Sequence, residues 1–214
     1  MRQQSITFKS HGLSLEGIVT MPTNVNSPFS GVVLAPAHPL FGEDMSSPLM
    51  VAICELLDKQ GIATMRFNFR GVGESQGKFD RGDGEQKDLI SALSTFRNWP
   101  KLNKKKIGLL GLSFGAHVSI NVLSKEQWIA AIAIISPPIK SLDKYNNLSY
   151  KGPRLLIDGD MEPIKPTDGL ESKNATTHNP DNYSPFAFWK AQNWNGPETN
   201  IASDVANFFS TSFR

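Results

Sequence analysis

Ser113 is the residue on which chemistry would turn. It sits in the run Gly111-Leu112-Ser113-Phe114-Gly115, the spacing G-x-S-x-G, between a short apolar run, Ile107 to Leu110, and apolar residues at helical spacing from Phe114 to Leu123. The first run has the length of a buried strand and the second the period of a helix, so the chain turns from strand to helix around the serine. A serine on so sharp a corner has a strained backbone and no room for side chains two positions to either side, which the two glycines provide; its hydroxyl then projects toward a reactant. The helix that follows aims its first amides and its positive dipole end at the same place. Such a set suits nucleophilic attack on a carbonyl. The bland alternative is a plain turn, and the strand before and helix after are what distinguish the two.

A serine hydroxyl is a weak nucleophile at its own pKa and needs a general base. The chain has four histidines. His11 falls in the turn of an expected hairpin, where a structural, exposed role is expected. His38 follows the third expected strand, where it would shape the neighbouring loop or touch substrate. His117 lies four residues after Ser113 on the same helix and is expected to pack under the rim. His178 lies in a polar stretch rich in Asn and Pro, and Thr167 to Pro185 reads as a long loop. Folded over the rim, that loop would bring His178 to Ser113; otherwise His178 is a loop histidine without a catalytic role.

The elements needed to position these groups follow the chain. Ser5 to Lys9 and Leu13 to Met21 alternate apolar and polar residues around His11-Gly12, the pattern of a hairpin. Gly31 to Ala35, Ile62 to Phe67, Ile129 to Ile135 and Arg154 to Ile157 read as strands, the most apolar of them covered on both faces. Helices are expected from Ser46 to Gly61, from Asp88 to Trp99 and from Ile201 to about Phe209. Strands alternating with helices imply an α/β architecture, a mostly parallel central sheet flanked by helices with the antiparallel hairpin at its N-terminal edge. Ligands of such sheets bind beyond the carboxyl ends of the strands. His38, Ser113 and the carboxylates between Asp158 and Glu162 all follow strand ends, so they are expected on one rim.

Composition narrows the class. A chain of 214 residues, 39% hydrophobic and 20% charged, is expected to form one domain over 1–214. A net charge of +2 gives no electrostatic reason to expect nucleic acid or an anionic membrane, and Lys104 to Lys106 read as a solvated lead-in to the strand. One cysteine, Cys54, excludes an internal disulfide and reads as a small buried hydrophobe in a reducing compartment. No signal peptide or membrane span is evident, so a soluble, cytoplasmic protein is expected. Gly71, Gly73 and Gly77 do not match a dinucleotide fingerprint, and no residues have metal-ligand spacing, so no cofactor is expected.

With those residues in place, the chain resembles the α/β-hydrolase superfamily, and more narrowly its small lidless members of the dienelactone-hydrolase and dipeptidyl-peptidase-like kind. His38 to Met45 resembles the family's HPHPxxGG loop, with Pro36 at the first histidine. Phe67 to Gly77 is similar to the D-x-R-G-x-G-x-S loop, with Asn68 at the usual Asp. Gly111 to Gly115 matches the nucleophile elbow, and Asp158 to Pro166 resembles the GDxDxxVP loop. The resemblance implies Ser113 as nucleophile, the backbone amides of Phe114 and Leu40 as the oxyanion hole, and Glu162, or else Asp160, as the acid that orients the base. It also implies a histidine where Lys190 to Glu198 has Asn193, and asparagine cannot take a proton. Two functions therefore stand as expectations. One is a serine hydrolase of a small ester or related acyl substrate using Ser113, His178 and Glu162. The other is a catalytically impaired hydrolase-like binding or scaffold protein. Arg70 is expected to tie its loop to a nearby acid. Tyr183, Phe186, Phe188, Trp189 and Trp194 are expected to pack core and rim. No bulky insertion separates the strands at Ile129 and Arg154, which favours short or soluble acyl groups.

Overall fold

A computed structural model describes residues 2–23, 27–157, 175–178 and 198–214. Among them, eight strands form one sheet. They are β1 (Arg2–Ser10), β2 (Leu13–Met21), β3 (Phe29–Ala35), β4 (Ala63–Phe67), β5 (Leu102–Leu112), β6 (Ala131–Ile135), β7 (Arg154–Ile157) and β8 (Ala175–His178). Their order is β1-β2-β4-β3-β5-β6-β7-β8. The hairpin β1–β2 is antiparallel and β2 runs antiparallel to β4, whereas every pair from β4 to β8 is parallel. His11 (φ 46°) and Gly12 (φ 90°) make the two-residue turn, both in the positive-φ region such a turn requires. The helices are α1 (Pro48–Lys59), α2 (Asp83–Arg97), α3 (Phe114–Leu123), α4 (Ile139–Asn146) and α5 (Glu198–Ser212).

The period of 2 along the strands divides the core into two layers. Val33, Met65, Leu109 and Ile132 face α2 and α3 through Leu93, Phe96 and Val118. Val32, Leu34, Leu110 and Ala133 face α1 and α5 through Ile53, Leu57, Val205 and Phe209. Cys54 is buried in that second layer. Helices therefore cover both faces of the parallel strands and leave the strand ends as the open rim.

Several boundaries differ from the sequence expectation, each for a physical reason. Helix α2 starts at Asp83 rather than Asp88, because the carboxylate of Glu85 reaches back to accept from the N–H of Gly82 (2.8 Å) and of Asp80 (2.8 Å). Strand β5 takes in the lysine run. Its register against β3 slips between Phe29↔Leu102 and Gly31↔Ile107, and this irregularity accommodates the extra, solvent-facing residues of β5. Helix α4 was not expected. Nor was β8, which occupies part of the stretch read as a loop between Thr167 and Pro185.

Two polar clusters hold the loops at the rim. The Arg70 guanidinium grips Asp88 in bidentate fashion, Nε to Oδ2 at 2.9 Å and Nη2 to Oδ1 at 2.8 Å, and Ser10 Oγ donates to Oδ1 at 2.7 Å. Asp88 is completely buried, so this pair is the tie expected of Arg70. The second cluster fixes the loop from β3 to α1. Arg66 Nη1 donates to the carbonyl of Met45 (2.8 Å), and Asn68 Oδ1 accepts from its N–H (2.7 Å). The Asn68 amide donates in turn to Glu16 Oε1 (2.7 Å), which also accepts from the N–H of Glu74 (2.8 Å). Aspartate at position 68 would have no donor for Glu16.

Just before Met45 in this loop, the Glu43 carboxyl is pushed up to about 7, first by burial and then by the neighbouring charge of Asp44. Its Oε2 is buried and accepts no hydrogen bond.

Two stability predictions follow from these clusters. Asp88→Ala strands a buried guanidinium and is expected to cost about 3–5 kcal/mol in urea unfolding, whereas Lys9→Ala on the exposed hairpin should change little. For Glu43, the raised folded pKa means the native state holds the proton more tightly than the unfolded chain. Stability is then lost as pH rises from the ordinary carboxylate value of 4.5 through about 7. Glu43→Gln should accordingly raise the melting temperature at pH 8 and leave it nearly unchanged at pH 4, as read by thermal unfolding at both pH values.

Candidate active site

The corner predicted at Ser113 forms between β5 and α3. Ser113 takes φ 51° and ψ −109°, a positive φ rare for any residue but glycine. The residue is only part-buried. Its N–H donates to the carbonyl of Ile135 at 2.8 Å, so the ladder with β6 carries on to the last residue before the helix. Both glycines are required by contact. A Cβ on Gly115 would stand 2.3 Å from the carbonyl oxygens of both Ala35 and Pro36, and one on Gly111 2.6 Å from Ser119 Oγ and 2.7 Å from Ala116 Cα. No side chain caps the start of α3. The amides of its first turn, Phe114 first among them, have no partner within the helix.

The loop after β3 lies against this corner. The His38 ring meets those of Phe114, Phe79 and Phe41 at tilted angles, with centroids 4.8, 5.0 and 4.9 Å apart. Its Nδ1 accepts from the N–H of Leu40 at 3.2 Å, which fixes the neutral tautomer with the proton on Nε2. Burial lowers the His38 pKa, opposed by the charge of Glu85. Leu40 thus sits beside the corner, with its amide engaged by His38 and its side chain 68% exposed.

The remaining histidines separate clearly. His11 is exposed in the hairpin turn. His117 is held on α3 by Ser141 Oγ at Nδ1 (2.8 Å) and by the Asn121 amide at Nε2 (3.1 Å). Burial first, then Lys140 and Lys144, lower its pKa. His178 is the last residue of β8. Leu112, Ile135, Ile157 and His178 form one cross-strand row, so His178 lies on the same rim as Ser113. Three strand spacings separate their backbones, about 14 Å. Asp160, Glu162, Asn193 and the aromatic cluster from Tyr183 to Trp194 lie outside the described residues.

The rim therefore brings together Ser113, Phe114, Leu40 and His38, with the backbone of His178 further along it. Sequence reasoning missed Glu16, because only the fold carries a hairpin carboxylate to Asn68. Among the described residues, no three His, Cys, Asp or Glu side chains are grouped to hold a metal, and no helix is long and apolar enough to cross a membrane.

Comparison with known proteins places this geometry in a family. An uncharacterised protein of Rickettsia prowazekii is 34% identical over 162 residues, 73% of this chain and 66% of its own length. The polyketide transferase GrgF of a Penicillium species is 30% identical over 93 residues, 42% of this chain and 31% of its own. The chain thus spans just under two thirds of the first relative and about a third of the second. A serine hydrolase without a lid from Xanthomonas campestris superposes with a TM-score of 0.78 at 24% identity, covering 100% of this chain and 96% of that one. The model of the family Hydrolase_4, serine aminopeptidase S33, matches residues 42–180, from the rim loop after β3 to just past β8. With the nucleophile corner inside that span, the chain belongs to the serine aminopeptidase S33 family of α/β-hydrolases.

Proposed function

We propose that the protein is a serine hydrolase cleaving a small ester or related acyl substrate through an acyl-enzyme on Ser113. The observation that carries this reading is the corner: a part-buried serine at φ 51°, heading a helix whose first-turn amides no side chain caps. Family membership supports it. Ser113 Oγ attacks the acyl carbon while a base takes its proton, and the carbonyl oxygen becomes negative. Amides facing that oxygen stabilise it, and the proposed donors are Phe114 and, once released by His38, Leu40. The leaving group departs with the proton, and water then repeats the attack to free the acid.

His178 is assigned as the base because the other three histidines are occupied or exposed elsewhere. Glu162 is assigned as the carboxylate that orients it, with Asp160 as the alternative. A base must come within about 3 Å of the hydroxyl it deprotonates, so with the backbones about 14 Å apart along the row this assignment requires the end of β8 to close toward Ser113. Transfer of the acyl group to an acceptor other than water is a second reading, favoured by the similarity to a polyketide transferase.

A fluorophosphonate probe should label the protein once, at Ser113. Ser113→Ala should abolish labelling and lower ester turnover by about 10⁴-fold or more. His178→Ala and Glu162→Ala should each slow labelling by about 100-fold or more. Labelling that survives His178→Ala unchanged removes that residue as base. A folded wild type that resists the probe and all esters is a binding protein and no hydrolase. Gly115→Ala should retract α3 from β3, cost about 1–3 kcal/mol and suppress labelling even at temperatures where circular dichroism shows the protein folded.

A further inference from the structure

Among the described residues, three large hydrophobic residues are exposed. Leu40 is 68% exposed, Phe41 75% and Ile139 59%. Leu40 and Phe41 follow β3, Ile139 follows β6, and in the sheet order β3 and β6 are the two neighbours of β5. These apolar side chains thus stand on the two shoulders of Ser113. Apolar exposure on both sides of a nucleophile suits a surface that a bound ligand covers.

The two shoulders differ in kind. On the β6 side stands an aliphatic residue. On the β3 side the rings of Phe114, His38 and Phe41 follow one another at 4.8 and 4.9 Å, with Phe79 alongside, from the residue after the nucleophile out to an exposed ring. Arene contacts of this spacing favour another planar ring at the open end over an aliphatic chain of equal area. The leaving group departs toward the proposed base, His178 at the end of β8, which lies on the β6 side of Ser113 in the sheet order. The acyl part is therefore left on the β3 side, against the rings.

We infer that the acyl part of the substrate carries an aromatic ring, seated on Phe41 and His38 beside Ser113. This rests on the hydrolase reading for which part of the substrate lies there, while the seat itself is open to direct measurement. Ser113→Ala protein would be titrated with 3-phenylpropanoate and 3-cyclohexylpropanoate by calorimetry, and again with Phe41→Ala or Phe41→Leu added. Wild type would be assayed on the two methyl esters by pH-stat. Both acids carry the same charge and similar apolar area, so the comparison isolates the ring.

The phenyl acid should bind about three- to tenfold more tightly than the cyclohexyl acid, its ester should be preferred by a similar factor in kcat/KM, and both Phe41 variants should close the gap. Leucine keeps the apolar area and loses the ring face. Equal binding, a cyclohexyl preference, no binding of either acid, or a gap that survives both variants overturns the inference. Ester turnover without ring preference defeats the seat and leaves the hydrolase. A Phe41-dependent phenyl preference in a protein that neither turns over esters nor reacts with the probe defeats the hydrolase and leaves the seat.

Discussion

The close approach of α3 to β3 is the contact on which the rest of the rim depends. A helix backbone ordinarily stays a side chain's width from the strand beside it, and here the space where Gly115 would carry a Cβ is 2.3 Å from two carbonyl oxygens. With α3 so close, the single residue between it and β5 has to make the whole turn, which drives Ser113 to φ 51°. The strain is local, of order 1–3 kcal/mol, and is held by ladder bonds on the β6 side and by helix packing on the other. What it provides is direction: a hydroxyl and a set of unpaired amides share one orientation, set by backbone rather than by flexible side chains.

A rigid corner needs a rigid opposite wall. Arg66 and Asn68 clamp both backbone groups of Met45, and Glu16 bonds the Asn68 amide while bridging to Glu74. Three of these four bonds are buried or part-buried, where a hydrogen bond is stronger than in water. The clamp stops short of Glu43, whose carboxyl is only half covered and has an oxygen without a donor.

The difference between what was and was not legible in the sequence follows from the range of the forces involved. The parallel sheet, the hairpin and α3 from Phe114 to Leu123 were readable because hydrophobic period and glycine spacing are local signals. The start of α2 was missed because its cap is a carboxylate reaching back from Glu85, in a segment whose charge resembles a loop. Strand β8 has two threonines and no apolar run, so its identity comes from pairing with β7 and not from its own residues. At the site, Ser113 was legible for the same local reason. The tie of Arg70 was legible as a type of contact, but Asp88 as its partner was not. Asn68 looked like a departure from the family pattern until Glu16 supplied the reason for an amide.

Leu40 shows how a resting contact and a catalytic role can be compatible. Its N–H donates to the neutral imidazole of His38 at 3.2 Å, a long bond between uncharged partners. A hydrogen bond to an ionised acceptor is shorter and roughly twice as strong. A ground-state carbonyl is no better an acceptor than the imidazole and gives the amide no reason to turn, whereas the oxyanion of a tetrahedral intermediate does. An amide with a weak resting partner therefore favours the transition state over the bound substrate, the condition under which binding energy accelerates a reaction. On this account His38 holds the donor in place until charge develops, and the lowered pKa of its ring, set by burial, keeps Nδ1 free to accept while the site waits.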